Sequence, residues 1–109
     1  MGWNARWALC GFVALIATPA LAQPTAPIAI LLPGAGGAVP SDFLIRNQAS
    51  FTRAGIETVV ALAPAEAATL AREAHQSGRR AVLVAMSRGA SVAAAALATG
   101  APASGVVLV

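Results

Sequence analysis

The sequence has no lysine, one cysteine and one histidine, and only 10% of its residues are charged. Each shortage closes off a class of function. Without lysine, every positive charge is an arginine, and the formal net charge of +3 comes from arginines scattered along the chain. They form no block or stripe, so the basic balance does not point to nucleic acid. One histidine, one cysteine and four dispersed acidic residues make no ligand cluster for a metal, and no cofactor is indicated. What the chain has in excess is apolar residues, at 58%. That proportion excludes a disordered chain, which would be rich in charge and poor in apolar side chains. A length of 109 residues leaves room for one domain.

The first residues, MGWNARWALCGFVALIATPALAQ, have the layout of an export signal. Arg6 supplies a short positive start, Trp7 to Ala17 an apolar stretch, and Ala20-Leu21-Ala22 the small-x-small pattern before a cleavage point. The expected division is therefore a signal peptide at 1–22 and a domain at 23–109, secreted or periplasmic. The apolar run is shorter than the roughly 20 residues that cross a bilayer, so no stable membrane span is expected after cleavage. Leu9 is too bulky for the residue that precedes a lipidated cysteine, and Cys10 leaves with the signal. The remaining chain then has no thiol for a disulfide. Its only aromatics are Phe43 and Phe51, and a domain this small has a thin stability margin.

The rest of the sequence alternates between apolar runs and helical patterns. Ile28 to Leu32 is a short apolar run halted by Pro33 and the glycine cluster Gly34-Ala35-Gly36-Gly37, the pattern of a buried strand entering a tight loop. Ser41 or Asp42 can cap a following helix in which Leu44, Gln48 and Phe51 share a face and which Gly55 ends. IETVVALAP predicts a second strand stopped at Pro64, and AEAATLAREAHQSG a second helix with Ala67, Leu70, Ala71 and Ala74 on one face. RRAVLVAM predicts the third strand, Ser87 to Thr99 the third helix, and GVVLV a fourth strand. Apolar strands joined by helices imply crossover units and a parallel sheet buried on both faces. Ligands of such sheets bind at the carboxyl ends of the strands, which puts the glycine loop and Ser87 on one rim.

Ala85-Met86-Ser87-Arg88-Gly89, set between an apolar strand and a helix, resembles the nucleophile elbow of the α/β-hydrolase family, whose usual form is Gly-x-Ser-x-Gly. The turn is so sharp that the residues two before and two after the serine must be small. Gly89 meets the pattern and Ala85 departs from it by one methyl group. LLPGAGG has the place and composition of the family's oxyanion loop. The resemblance implies Ser87 as nucleophile and the backbone N–H groups of Ala35 and Arg88 as oxyanion donors, with Gly34 and Gly36 letting the loop turn toward substrate. The element order matches the N-terminal half of the family's fold over nearly all of residues 23–109. It implies a partial α/β-hydrolase fold of about four parallel strands and three crossover helices, and a secreted serine hydrolase acting on a small ester-like substrate.

The family supplies its catalytic acid and then its histidine after the nucleophile, and no Asp, Glu or His follows Ser87. The resemblance therefore implies a chain truncated before its acid and base and inactive alone. His75 reads as a solvated helix residue, Glu57 and Glu66 as strand-edge and helix-start residues, and Asp42, the one acid expected near the rim, as a helix cap. Ser91 is expected to pack or bond back to the backbone, and Arg88 to be exposed or to hold an acidic group of the substrate. Ser87 itself could be a plain helix cap. Two other functions remain open. One is a non-catalytic remnant that self-associates through the apolar edge of its last strand. The other is a phosphate or dinucleotide binder built on Gly34 to Gly37, although Val39 stands where a third glycine belongs and no P-loop lysine exists.

Overall fold

The structure, a computed structural model, describes residues 26–109. The expected export signal, its cleavage after Ala22 and Cys10 lie outside the described residues. Four strands form one parallel sheet in the order β2-β1-β3-β4, with β1 at Ile28–Leu32, β2 at Glu57–Val60, β3 at Ala81–Ala85 and β4 at Gly105–Leu108. The helices are α1 at Phe43–Arg46, α2 at Gln48–Arg53, α3 at Pro64–Gln76 and α4 at Gly89–Ala98. The α/β class and the parallel sheet expected from the alternating pattern are therefore present. Among the described residues, no helix is long and apolar enough to cross a membrane.

β1 is buried at all five positions because it has a strand on each side and helices above and below. Its alternate residues serve two cores. Ile28, Ile30 and Leu32 join Leu83 and the alanines of β3 against Ala67, Ala68, Ala71 and Ala74 of α3 and Ala93 and Ala96 of α4. Ala29 and Leu31 join Val84 and Leu44 on the opposite face, bordered by half-buried Phe51, Ile56, Val60, Val82 and Met86. The chain moves one way across the sheet from β1 to β2 and the other way from β2 to β3 and β4. Crossovers of one hand then require helices on opposite faces, as found for the α1–α2 pair against α3 and α4.

Three elements differ from expectation. The first crossover helix is split at Asn47, whose Nδ2 donates to the Phe43 carbonyl at 2.7 Å; a side chain that bonds the preceding turn competes with helix propagation. α2 then restarts at Gln48, and its side chain donates from Nε2 to Thr58 Oγ1 at 3.1 Å. β2 ends at Val60 instead of running to Pro64, because Leu62 turns away to give its N–H to Glu66 Oε1 at 2.9 Å at the start of α3. The third expected helix begins at Gly89 and not at Ser87, a shift whose cause lies in the backbone of the serine.

Candidate active site

Ser87 has φ 53, the only positive φ at a non-glycine residue among the described residues. A side chain in that left-handed region crowds its own carbonyl, and holding it there costs on the order of 1–2 kcal/mol. Three backbone bonds hold the turn in place. Met86 N–H donates to Leu32 O at 3.1 Å, Gly89 N–H to Met86 O at 2.8 Å, and Ala90 N–H to Ser87 O at 2.9 Å. The glycine that follows is required by contact: a Cβ on Gly89 would stand 2.0 Å from Leu32 O and 2.7 Å from its carbonyl carbon. The start of α4 is thus pressed onto the last residue of β1. Ala85 is fully buried and paired with Leu32 on one side and Leu108 on the other. The smallness expected at both flanking positions therefore has a physical counterpart, much sharper at Gly89.

This geometry removes the plain-cap reading of Ser87. The cap position of α4 is Arg88, with φ −59 and ψ −26 and no side-chain cap bond. Ser87 precedes it, exposed, at the end of a strand and beside the first turn of a ten-residue helix. The partial positive charge of that helix end favours negative charge beside Ser87.

The glycine loop packs directly against this turn. A Cβ on Gly34 would lie 3.6 Å from both Ser87 Cβ and Asp42 Oδ2. Gly37 N–H closes the loop onto Gly34 O at 2.9 Å, with Ala35 and Gly36 at its exposed tip. The residue that uses glycine's freedom is Gly37, at φ 77. Gly34 and Gly36 have no positive φ, so the conformational role expected of them falls to their neighbour. Between loop and elbow lies a shallow depression of about 130 Å³, bordered by Ala35, Leu62, Arg88 and Val92. Neither Ala35 nor Arg88 donates its N–H to a protein acceptor among the described residues. Arg88 is exposed, and its side chain makes no ion pair among them.

Asp42 does more than cap. Its Oδ1 accepts from Leu44 N–H at 2.8 Å and Ile45 N–H at 3.3 Å, and its Oδ2 accepts from Gly34 N–H at 2.8 Å. Burial pushes the carboxyl pKa up, but these bonds and the nearby Arg46 together bring it below the ordinary value of 3.8. A carboxylate so occupied is a poor proton acceptor for Ser87. Asp42 is also not alone at the rim, because the Glu66 carboxylate holds the N–H of Leu62 there. Sequence reading missed both loop-holding roles. A bond spanning eight residues leaves no periodic trace, whereas Glu66 four residues after Leu62 follows the reach of a helix-start carboxylate.

The other candidates lie away from this rim. His75 is exposed in the last turn of α3, next to Ala74 and Ser77, which border the first residues of β1 and β2. That is the amino end of the sheet, opposite Ser87. Glu57 stands at the same end, 2.8 Å from the Arg79 guanidinium. Ser91 is exposed on α4 and takes no part in the core. Among the described residues no three His, Cys, Asp or Glu side chains gather as a metal site would need. Compared with protein-family models, curated proteins and solved structures, the chain finds no match.

Proposed function

We propose that this rim is the nucleophile and oxyanion half of a serine-hydrolase site acting on ester bonds. The observation that carries the reading is the backbone of Ser87: a left-handed serine between a parallel strand and a helix, held there by the contact of Gly89 with Leu32. Strain of this kind concentrates where function requires it. In the reaction, Ser87 Oγ would attack the ester carbonyl carbon and give its proton to a base. The carbonyl π pair would become an oxyanion, received by the unengaged N–H groups of Ala35 and Arg88. Collapse of the tetrahedral species would expel the alcohol and leave an acyl-serine for water to hydrolyse. One such donor is worth about 3–4 kcal/mol of transition-state stabilisation. Because His75, Glu57 and Glu73 stand at the far end of the sheet and Asp42 and Glu66 are engaged with backbone N–H groups, this reading takes its base from outside residues 26–109.

A fluorophosphonate probe with added imidazole tests this on the full chain. Labelling, read by intact mass, should be slow in buffer, rise with imidazole concentration and vanish in Ser87→Ala. Labelling independent of Ser87 at every imidazole concentration would overturn the reading.

A second reading rests on the sheet edge. Val106, Val107 and Leu108 of β4 are exposed at 42%, 48% and 68%, and an apolar strand with an unpaired edge recruits another strand. On that reading the chain self-associates, sedimentation mass rises with concentration, and Val107→Lys suppresses the rise. A monomer at all concentrations would end it. The phosphate-cradle reading is weakened by Asp42, which consumes the Gly34 N–H and sets a negative charge behind the loop.

A further inference from the structure

We propose that Asp42 is a positioning residue that ties the glycine loop to the first helix and so sets the Ala35 amide against Ser87; the inference rests on the hydrolase reading of the rim. A helix cap needs one accepting oxygen, and serine or threonine supplies it as well as aspartate does. Asp42 uses its two oxygens for different tasks. Oδ1 closes the start of α1 through Leu44 and Ile45, while Oδ2 reaches back to Gly34 N–H, one residue before Ala35.

The tether leads into the core. Leu44, whose N–H is bonded to Oδ1, is 2% exposed and packs on Ala29 and Leu31 of β1. The remaining backbone bonds of the segment, Gly37 N–H to Gly34 O, Val39 N–H to Gly37 O and Asp42 N–H to Val39 O, only fold it onto itself. The Oδ2 bond is therefore the link that joins the start of the loop to a helix anchored on the sheet. Gly34 is also where the carboxylate and the nucleophile converge, since the point a Cβ would occupy is 3.6 Å from Asp42 Oδ2 and 3.6 Å from Ser87 Cβ. A loop released from Asp42 would let the Ala35 N–H drift from the developing oxyanion, and catalytic donors lose their value with small displacements.

The test separates cap from tether. Asp42→Ser on the full chain keeps a capping oxygen but cannot reach Gly34. Thermal unfolding should stay within a few degrees of wild type. Amide hydrogen exchange at Gly34 should accelerate at least about tenfold, and imidazole-assisted labelling of Ser87 should slow by about tenfold, a difference of about 1.4 kcal/mol in the labelling barrier. Wild-type rates of both in Asp42→Ser would overturn the proposal and reduce Asp42 to a cap. If Asp42→Ser does not fold, Asp42→Thr serves with the same readouts. If wild type is not labelled at Ser87, the hydrolase reading fails separately. The Gly34 amide then decides the tether by itself: faster exchange in the variant supports it, and equal exchange overturns it.

Discussion

On one face of the sheet, Ile28, Ile30, Leu32 and Leu83 meet helices whose buried contacts are almost all alanine. On the other, Leu31 and Val84 meet Leu44 and Phe51 of two short helices and a fringe of half-buried larger residues, Ile56, Val60, Val82 and Met86, on strands and connections. Alanine lets a helix backbone approach the strands closely, and on the first face this approach is taken to its limit at Gly89, against the carbonyl of Leu32. The second face is looser. An open groove of about 410 Å³ remains there, bordered by Phe51, Ile56, Val82 and Val107 among others. The strained serine stands at the start of the helix that belongs to the tightly closed face. Close packing is what can hold an unfavourable backbone conformation, since a loosely packed turn would relax.

The contrast is most directly broken at Gly89. Gly89→Ala puts a methyl group into the Leu32 carbonyl, and overpacking against backbone should cost about 3 kcal/mol. In a domain of this size that lowers Tm by roughly 12–24 °C. A thermal scan followed by circular dichroism checks it, and a shift of only a few degrees would show that α4 does not lean on β1 as described.

Enlarging one residue on each face sharpens the comparison. Ala71→Val enlarges a fully buried contact of α3 and should cost about 1–3 kcal/mol. Val82→Ile adds one methylene beside the open groove and should change stability by less than about 0.5 kcal/mol. Urea unfolding of the two variants measures the difference directly. Equal losses, from the smaller addition at Val82, would mean that the second face is at least as closely packed as the first.

A modest and pH-dependent effect belongs to the Asp42 carboxylate at the rim. The folded-state pKa of Asp42 lies below 3.8, so the unfolded chain binds its proton first as the pH falls. The stabilisation is fully present above pH 3.8 and is lost as the pH drops through the lowered value. At neutral pH, Asp42→Ala should lose about 1 kcal/mol, the worth of a cap. The gap between wild type and variant should close below pH 3.8. A gap that persists unchanged in acid would mean that the charged form contributes nothing.

Much of this was legible in residue order. Short apolar runs punctuated by glycine and proline announced four strands, and Ala67, Ala71 and Ala74 announced the buried face of α3. The small residues around Ser87 announced a sharp turn. The split of the first helix was not legible, because Asn47 fits a helical pattern and breaks it only by bonding the Phe43 carbonyl. The second task of Asp42 was hidden for a related reason. Capping is a local signal, whereas the bond to Gly34 exists only once the loop has folded back across eight residues.

The sequence by itself determined the class of the fold, since the alternation of apolar strands with alanine-rich helices leaves a parallel sheet as the arrangement that buries both strand faces. It also determined that Ser87 follows a strand and precedes a helix. Only the tertiary structure decided that the serine is left-handed rather than a cap, that Gly37 rather than Gly34 takes the positive φ, and that His75 is at the wrong end of the sheet to serve it. These outcomes depend on which backbones touch, and the contact of Gly89 with Leu32 forms between segments more than fifty residues apart in the chain.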